Sequence, residues 1–206
     1  SMDYGFKDLK DPNAYNPERS KQLLAEDGWK DTDGDGILDK DGKPLTFDFV
    51  VYNSRAELPL YAEAVQADLK KVGIDMKIKT VDYNLIDKMG QDGDYDMLIS
   101  NIVTANTGDP IWFLANYWHT NDNGSNPQNG SGYSNPQVDQ LLDAAETEFD
   151  PAKRRDYAIQ IQQLLMNDGA ALFLGYPKTN IITGSYLKGA VMYPSDYYWI
   201  TNKITK

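Results

Sequence analysis

The chain has 206 residues, 41% of them hydrophobic, with 31 acidic against 20 basic side chains and a formal net charge of -11. This charge repels phosphate backbones and argues against a nucleic-acid partner, and no apolar run reaches the roughly 20 residues that a transmembrane segment needs. With no cysteine, the sequence excludes disulfides, thiolate metal sites and a cysteine nucleophile.

The first predicted element is a short helix that leads into an acidic loop. Asn16 is a suitable N-cap, Pro17 fits the first helical position and Gly28 lies past the helix end. The loop "DTDGDGILDKDG" at residues 31 to 42 then resembles part of an EF-hand calcium loop, in which carboxylates occupy positions 1, 3 and 5.

Two interpretations of this acidic loop stay open. The glutamate that closes an EF-hand loop is replaced by Gly42, and Asp41 lies one residue early. The stretch "DKDGK" also has the chemistry of a tight hairpin turn. We therefore expect either a polar surface hairpin or a structural calcium site, and calcium is the function in neither case. The candidate calcium ligands are Asp31, Asp33, Asp35, Ile37 and Asp39.

Strands and helices alternate through the next part of the chain. Apolar periodicity predicts a strand at residues 45 to 52, a helix at 56 to 73 and a strand at 74 to 81. A short helix at 82 to 93 and a nearly all-apolar strand at 95 to 103 follow, and the last is typical of a sheet centre covered on both faces. The crossover rule makes the first two strands parallel. The expected fold class is α/β, with a mixed, largely parallel sheet flanked by helices.

The regular alternation stops at residues 104 to 134. A chain that leaves the carboxyl end of a parallel strand enters the crevice where α/β proteins bind ligands, so "VTANTGDPIWF" is the candidate ligand segment. Asp109 is either the N-cap of the helix "PIWFLANYW" or a ligand contact. His119 ends that helix and is either a surface residue or a metal contact. The ligand-binding candidates are Val103, Thr104, Ala105, Asn106, Asp109, Trp112 and His119.

The C-terminal part begins with two well-capped helices. Asn135 and Asp150 each precede a proline, which predicts an N-cap followed by proline at the first helical position. Residues 170 to 185, "AALFLGYPKTNIITGS", are predicted to form two strands around a Tyr-Pro turn.

Five phrases of the sequence, in this order and spacing, resemble the C-terminal large lobe of family 5 substrate-binding proteins. This family comprises extracytoplasmic receptors of dipeptide, oligopeptide and nickel ABC importers, and its members close two lobes over a ligand. The similarity covers nearly the whole chain. The phrases are "YNPERSKQLLAEDGWKDTDGDGILDKDGKPLTF", "AVQADLKKVGIDMKI", "GDYDMLI…TGDP", "GYSNPQVDQLLDAA" and "RRDYAIQIQQLLMNDGAALFLGY".

The resemblance implies one lobe of a class II periplasmic-binding-protein-like fold. Residues 1 and 2 are interpreted as a cloning remnant, and residues 3 to 206 as a single ligand-binding lobe whose partner is an N-terminal lobe of the same protein. The implied function is to capture a small peptide and deliver it to an ABC permease, either in the periplasm or from a lipid anchor outside the cell membrane. Neither enzymatic activity nor a cofactor is expected, apart from the candidate structural calcium.

The resemblance also bears on the ligand. In peptide-binding relatives, an acidic residue four places before the DP proline holds the α-ammonium group of the peptide, and that position is Asn106 here. An amide brings no charge, which weakens the case for a free amino terminus. Nickel-binding relatives can add a histidine after their DP motif, and His119 is similar in placement. A peptide is therefore the expected ligand, a nickel chelate is the alternative, and a calcium-stabilised extracellular module is the alternative of another class.

Overall fold

The computed structural model of the protein describes residues 7–104, 108–176, 180–192 and 201–206. Its elements follow the predicted order as far as the last helix. The helices are α1 (Pro17–Glu26), α2 (Glu57–Lys70), α3 (Ile86–Asp92), α4 (Pro110–Trp118), α5 (Pro136–Thr147) and α6 (Pro151–Asn167). The strands are β1 (Asp39–Lys40), β2 (Lys43–Pro44), β3 (Thr46–Tyr52), β4 (Asp75–Val81) and β5 (Met97–Leu98), and a 3-10 helix (Tyr83–Leu85) precedes α3.

Helices α1, α4, α5 and α6 begin with the predicted Asx-Pro pairs. In each of them the Asx side chain accepts a hydrogen bond from a main-chain N–H two or three residues further on, which satisfies a donor that the helix itself leaves unpaired. Proline follows at the first helical position, where its missing N–H costs nothing. The caps are Asn16, Asp109, Asn135 and Asp150.

The main sheet has the order β4-β3-β5, and both of its pairings are parallel. Strand β3 pairs with β4 over its whole length, from Thr46 to Tyr52, and its last four residues are buried. The prediction that residues 95 to 103 form the central strand is wrong, because β3 holds the centre and β5 is two residues long. Near its two ends, side chains accept main-chain N–H groups: the Asp96 carboxylate accepts that of Asp48, and the Tyr52 hydroxyl accepts that of Asn101.

Two hydrophobic cores lie on either side of the candidate ligand segment in sequence. The first is built on β3, β4 and α2, and the second packs α4, α5 and α6 together. Buried residues of the second core include Ile111, Leu114, Val138, Leu142, Ile161 and Leu165.

The loop after α4 joins the two cores. A Cβ on Gly130 would lie 3.1 Å from the Cα of Gly90 in α3, so the two main chains meet where a larger side chain would force them apart. The Tyr95 hydroxyl donates a hydrogen bond to the Gly130 carbonyl. The second core is thereby held against the first.

The two strands predicted at residues 170 to 185 are absent from the described part of that stretch, residues 170–176 and 180–185. A strand is stabilised by the main-chain hydrogen bonds of a neighbour, and no described strand pairs with this stretch. Several of its apolar side chains are exposed, as for Leu172 and Tyr176, whereas Leu174 packs against the first core. Pro177 of the predicted turn lies outside the described residues. Among the described helices, none is long and apolar enough to cross a membrane.

Leu142 tests the second core. Its side chain is fully buried, so Leu142→Ala should lower the free energy of unfolding by about 2 to 5 kcal/mol, because it leaves a cavity. Leu60→Ala is the matched control, since Leu60 is 66% exposed and should change stability by no more than about 0.5 kcal/mol. Urea denaturation measures both, and equal losses would contradict the assigned core.

Candidate functional site

The carboxyl ends of the three parallel strands meet at one edge of the sheet, which is where open α/β sheets bind ligands. Tyr52 ends β3, the 3-10 helix follows β4, and residues 99–104 leave β5. These segments and the first turn of α2 expose apolar side chains that have no covering element in the described structure. They are Leu60, Tyr83, Leu85 and Val103.

Tyr52 connects two of these segments. Its hydroxyl accepts a hydrogen bond of 3.0 Å from the main-chain N–H of Asn101, and its ring packs edge-on against Tyr83 with centroids 5.1 Å apart. Burial raises the pKa of the Tyr52 hydroxyl, which therefore stays protonated. Neither tyrosine was among the candidate residues predicted from the sequence. Tyr83 lies two residues after the predicted strand at 74 to 81. An aromatic residue so close to the end of a strand is a signal from which it could have been predicted.

The predicted ligand segment is described in part. Val103 and Thr104 lie at the sheet edge and are exposed. Ala105 and Asn106 lie outside the described residues. The role of Asn106 in place of the acidic residue of peptide-binding relatives therefore stays a prediction.

Asp109 is the N-cap of α4, as one of its two interpretations predicted. One carboxylate oxygen accepts the Ile111 N–H at 3.0 Å, and the other accepts the Arg154 guanidinium at 2.5 Å. Arg154 also donates to the carbonyls of Ala145 and Glu148 at the end of α5. One carboxylate oxygen therefore caps α4, and the other ties α4 to α6 and, through Arg154, to the end of α5. A ligand ammonium would have to compete with Arg154 for the second oxygen.

Trp112 and His119 belong to a second concave surface, on α4. Both line an open cavity of about 310 Å³ together with Asn116, Asn126 and Glu146. His119 is the C-cap of α4, about 15 Å along the helix from its N-cap. The structure therefore brings Trp112 and His119 together in one cavity, with His119 at the opposite end of α4 from Asp109.

His119 interacts with two carboxylates of α5. Its Nε2 lies 3.3 Å from Asp143 and its Nδ1 lies 3.6 Å from Asp139. Partial burial opposes protonation, but the Thr120 carbonyl and the two carboxylates outweigh it, so the pKa of His119 is raised. This environment favours the protonated imidazolium form of His119 over what a free histidine would show.

Two asparagines hold the loop that follows His119. Asn126 Nδ2 donates to the Ala115 and His119 carbonyls, and Asn129 Nδ2 donates to the carbonyls of His119 and Tyr133. These amides satisfy carbonyls that a helix C-terminus leaves unpaired. Asn129 is 3% exposed, so this part of the loop is built into the second core.

The acidic loop contains both a hairpin and a cluster of carboxylates. Strands β1 and β2 form a two-residue hairpin in which Asp41 and Gly42 have positive φ angles of 54° and 72°, which confirms the hairpin interpretation. One carboxylate oxygen from each of three predicted ligands lies within 4.8 Å of the others. Asp35 is not part of this cluster and accepts the Ile37 N–H instead. The three are Asp31, Asp33 and Asp39.

Comparison with known proteins gives one consistent family. Residues 1–125 match the model of the bacterial extracellular solute-binding proteins, family 5 middle region. The sequence is 32% identical to the oligopeptide-binding protein AppA of Bacillus subtilis, over 91% of this chain and 34% of AppA. It is 33% identical to the probable D,D-dipeptide-binding periplasmic protein DdpA of Escherichia coli, over 74% of this chain and 29% of DdpA.

Solved structures share the fold. AppA in complex with a nonapeptide gives a TM-score of 0.72 at 31% identity, over 83% of this chain and 34% of AppA. NikA from Brucella suis in complex with Fe(III)-EDTA gives 0.66 at 28% identity, over 80% of this chain and 32% of NikA. These matches confirm the predicted α/β lobe of the periplasmic-binding-protein type. The chain spans about a third of the length of these relatives.

His119 should make stability depend on pH. Because its pKa in the folded protein is raised above the ordinary 6.5, its contribution is complete below that pH and is lost as the pH rises through the folded-state value. The melting temperature of the wild type should therefore exceed that of His119→Gln by more at about pH 5.5 than at about pH 8.5. Asp143→Asn should reduce this difference, and a difference equal at both pH values would contradict the account.

Proposed function

Because the chain belongs to family 5 of the bacterial extracellular solute-binding proteins, we propose that it forms one lobe of a receptor that captures a dipeptide or oligopeptide and delivers it to an ABC permease. The ligand enters between this lobe, residues 3 to 206, and an N-terminal lobe. Closure then traps it, as a population shift toward the closed state. Binding is non-covalent, and no bond is made or broken.

The open edge beside β5 carries this proposal. In the described part of the chain, residues 102–104 continue from a parallel strand without a strand partner. Main-chain groups in such a segment can add an extended peptide as a further strand, whatever its side chains are. Val103 within the segment and Tyr83 at the end of β4 supply exposed apolar surface against which peptide side chains can pack.

A nickel chelate is the second ligand class, since NikA belongs to the same set of structural relatives. The position of His119 favours the peptide. Its ring nitrogens face Asp139 and Asp143, and it lies at the far end of α4 from Asp109. A chelate at the sheet edge would therefore be held without this histidine.

The receptor acts outside the cytoplasmic membrane. The family is extracellular, and we place this protein either in the periplasm or on a lipid anchor at the outer face of the membrane.

Calorimetric titration of the complete two-lobe receptor with a mixed pool of di- to hexapeptides tests the function. Tyr83→Ala should weaken binding about tenfold, because an exposed aromatic surface of the cleft is lost. Tyr15→Ala is the matched control, since Tyr15 is as exposed as Tyr83 or more but lies before α1, and it should leave affinity unchanged. Heat with nickel and histidine but none with peptides would show that the ligand is a nickel chelate and not a peptide.

We also propose that the cluster of Asp31, Asp33 and Asp39 holds a structural calcium ion. Three carboxylates that converge in one loop suit the oxygen preference of this cation. The hairpin fixes Asp39 opposite Lys30, with which it forms a β-bridge, so a bound ion would tie the loop to the base of the hairpin.

Calcium at about 1 mM should raise the melting temperature, because an ion that binds only the folded state stabilises it. Asp31→Asn should remove this increase. Asp41→Asn should retain it, since Asp41 is in the hairpin turn, outside the cluster, at a positive φ that asparagine also adopts. Calcium-independent melting, or an equal effect in Asp31→Asn, would rule the ion out.

A further inference from the structure

Tyr52 lies at the point where the chain leaves the sheet for the proposed ligand segment. The main-chain N–H of Ile99 donates to the Val50 carbonyl at 3.0 Å, as a parallel ladder requires. The next bond that the β5 side donates in such a ladder would join the N–H of Asn101 to the main-chain carbonyl of Tyr52, two residues further on. In the structure this N–H donates to the Tyr52 side-chain hydroxyl instead.

This change of acceptor bears on where the ligand segment lies relative to β3. The hydroxyl lies a full side-chain length from its own main chain, so the segment that follows β5 is held away from β3. From Asn101 onward the chain lies outside the β3–β5 pairing, and Val103 is exposed. The other end of β5 is set in a similar way, because the Asp96 carboxylate accepts the Asp48 N–H at 2.8 Å.

Tyr52 also supports the other side of the site. Its ring contacts Tyr83 edge-on, and Tyr83 is 55% exposed at the end of β4. Tyr52 itself is 2% exposed, so a ligand at the edge does not reach it. Any effect of Tyr52 on binding must pass through the segment at Asn101 or through Tyr83.

We propose that Tyr52 is a positioning residue for ligand capture, whose hydroxyl sets the path of residues 101–104 and whose ring supports Tyr83. This inference rests on the proposed function, since the ligand affected is the peptide. The hydrogen bond between Asn101 and the Tyr52 hydroxyl can be tested without a ligand. One hydroxyl takes the place of one main-chain carbonyl as the acceptor of the Asn101 N–H.

The test is Tyr52→Phe in the complete two-lobe receptor, because this change removes only the hydroxyl. The control is Tyr95→Phe, which removes the hydroxyl that donates to the Gly130 carbonyl. Tyr95 is partly buried and lies two residues before β5, whereas Asn101 lies three residues after it. Each variant therefore loses one side-chain to main-chain hydrogen bond near an end of the same strand.

Amide hydrogen exchange without ligand is the first measurement. In Tyr52→Phe, exchange should increase in the segment of residues 99–104, because the Asn101 N–H loses its acceptor. In Tyr95→Phe the increase should fall in the loop around Gly130 instead. Unchanged exchange at 99–104 in Tyr52→Phe would overturn the positioning role, whether or not the receptor binds peptides.

Affinity for the peptide pool is the second measurement. Tyr52→Phe should bind about 3- to 10-fold more weakly than the wild type, the loss that corresponds to one hydrogen bond. Tyr95→Phe should bind as the wild type does even if its melting temperature falls by as much. Equal affinity losses in the two variants would reduce Tyr52 to a structural residue. No heat from the unmodified receptor would overturn the proposed function, and the exchange data would then decide the role of Tyr52 alone.

Discussion

The parallel pairing of β3 with β4 is the interaction on which the described structure depends. It runs in register over seven residues and buries four consecutive side chains at the end of β3, so β3 cannot shift without exposing them. Every segment of the candidate site leaves from this end of the sheet. The position of the site follows from the direction of these strands, since parallel strands must return through crossovers and so place their carboxyl ends together.

The second core packs the helix that follows the candidate ligand segment, α4, against α5 and α6. Helix α4 is held at its start by the Asp109 carboxylate, which caps it and pairs with Arg154, and at its end by the amides of Asn126 and Asn129. Polar contacts at both ends of one helix leave it little freedom to rotate. Asp109, which the sequence suggested as a ligand contact, thus stabilises the packing of α4 instead. Ligand contacts then come from main-chain groups and exposed apolar side chains.

Local signals predicted most of the fold, because Asx-Pro caps and apolar periodicity act over a few residues. The helix starts at Asn16, Asp109, Asn135 and Asp150 are correct for this reason. The length of β5 and the loss of strands after residue 170 could not be predicted, since pairing depends on distant partners. The same holds for the site. Tyr52 acts through Asn101, 49 residues away, and composition predicted neither this contact nor the pairing of His119 with Asp139 and Asp143.

The central claim is that the carboxyl edge of the β4-β3-β5 sheet forms one wall of the ligand cleft. Amide hydrogen exchange of the complete receptor, with and without the peptide pool, tests it most directly. The account predicts that ligand slows exchange in residues 99–104 and in the 3-10 helix after β4, and leaves the β1–β2 hairpin unchanged. Protection confined to the cavity around Trp112 and His119, with none at the sheet edge, would contradict it.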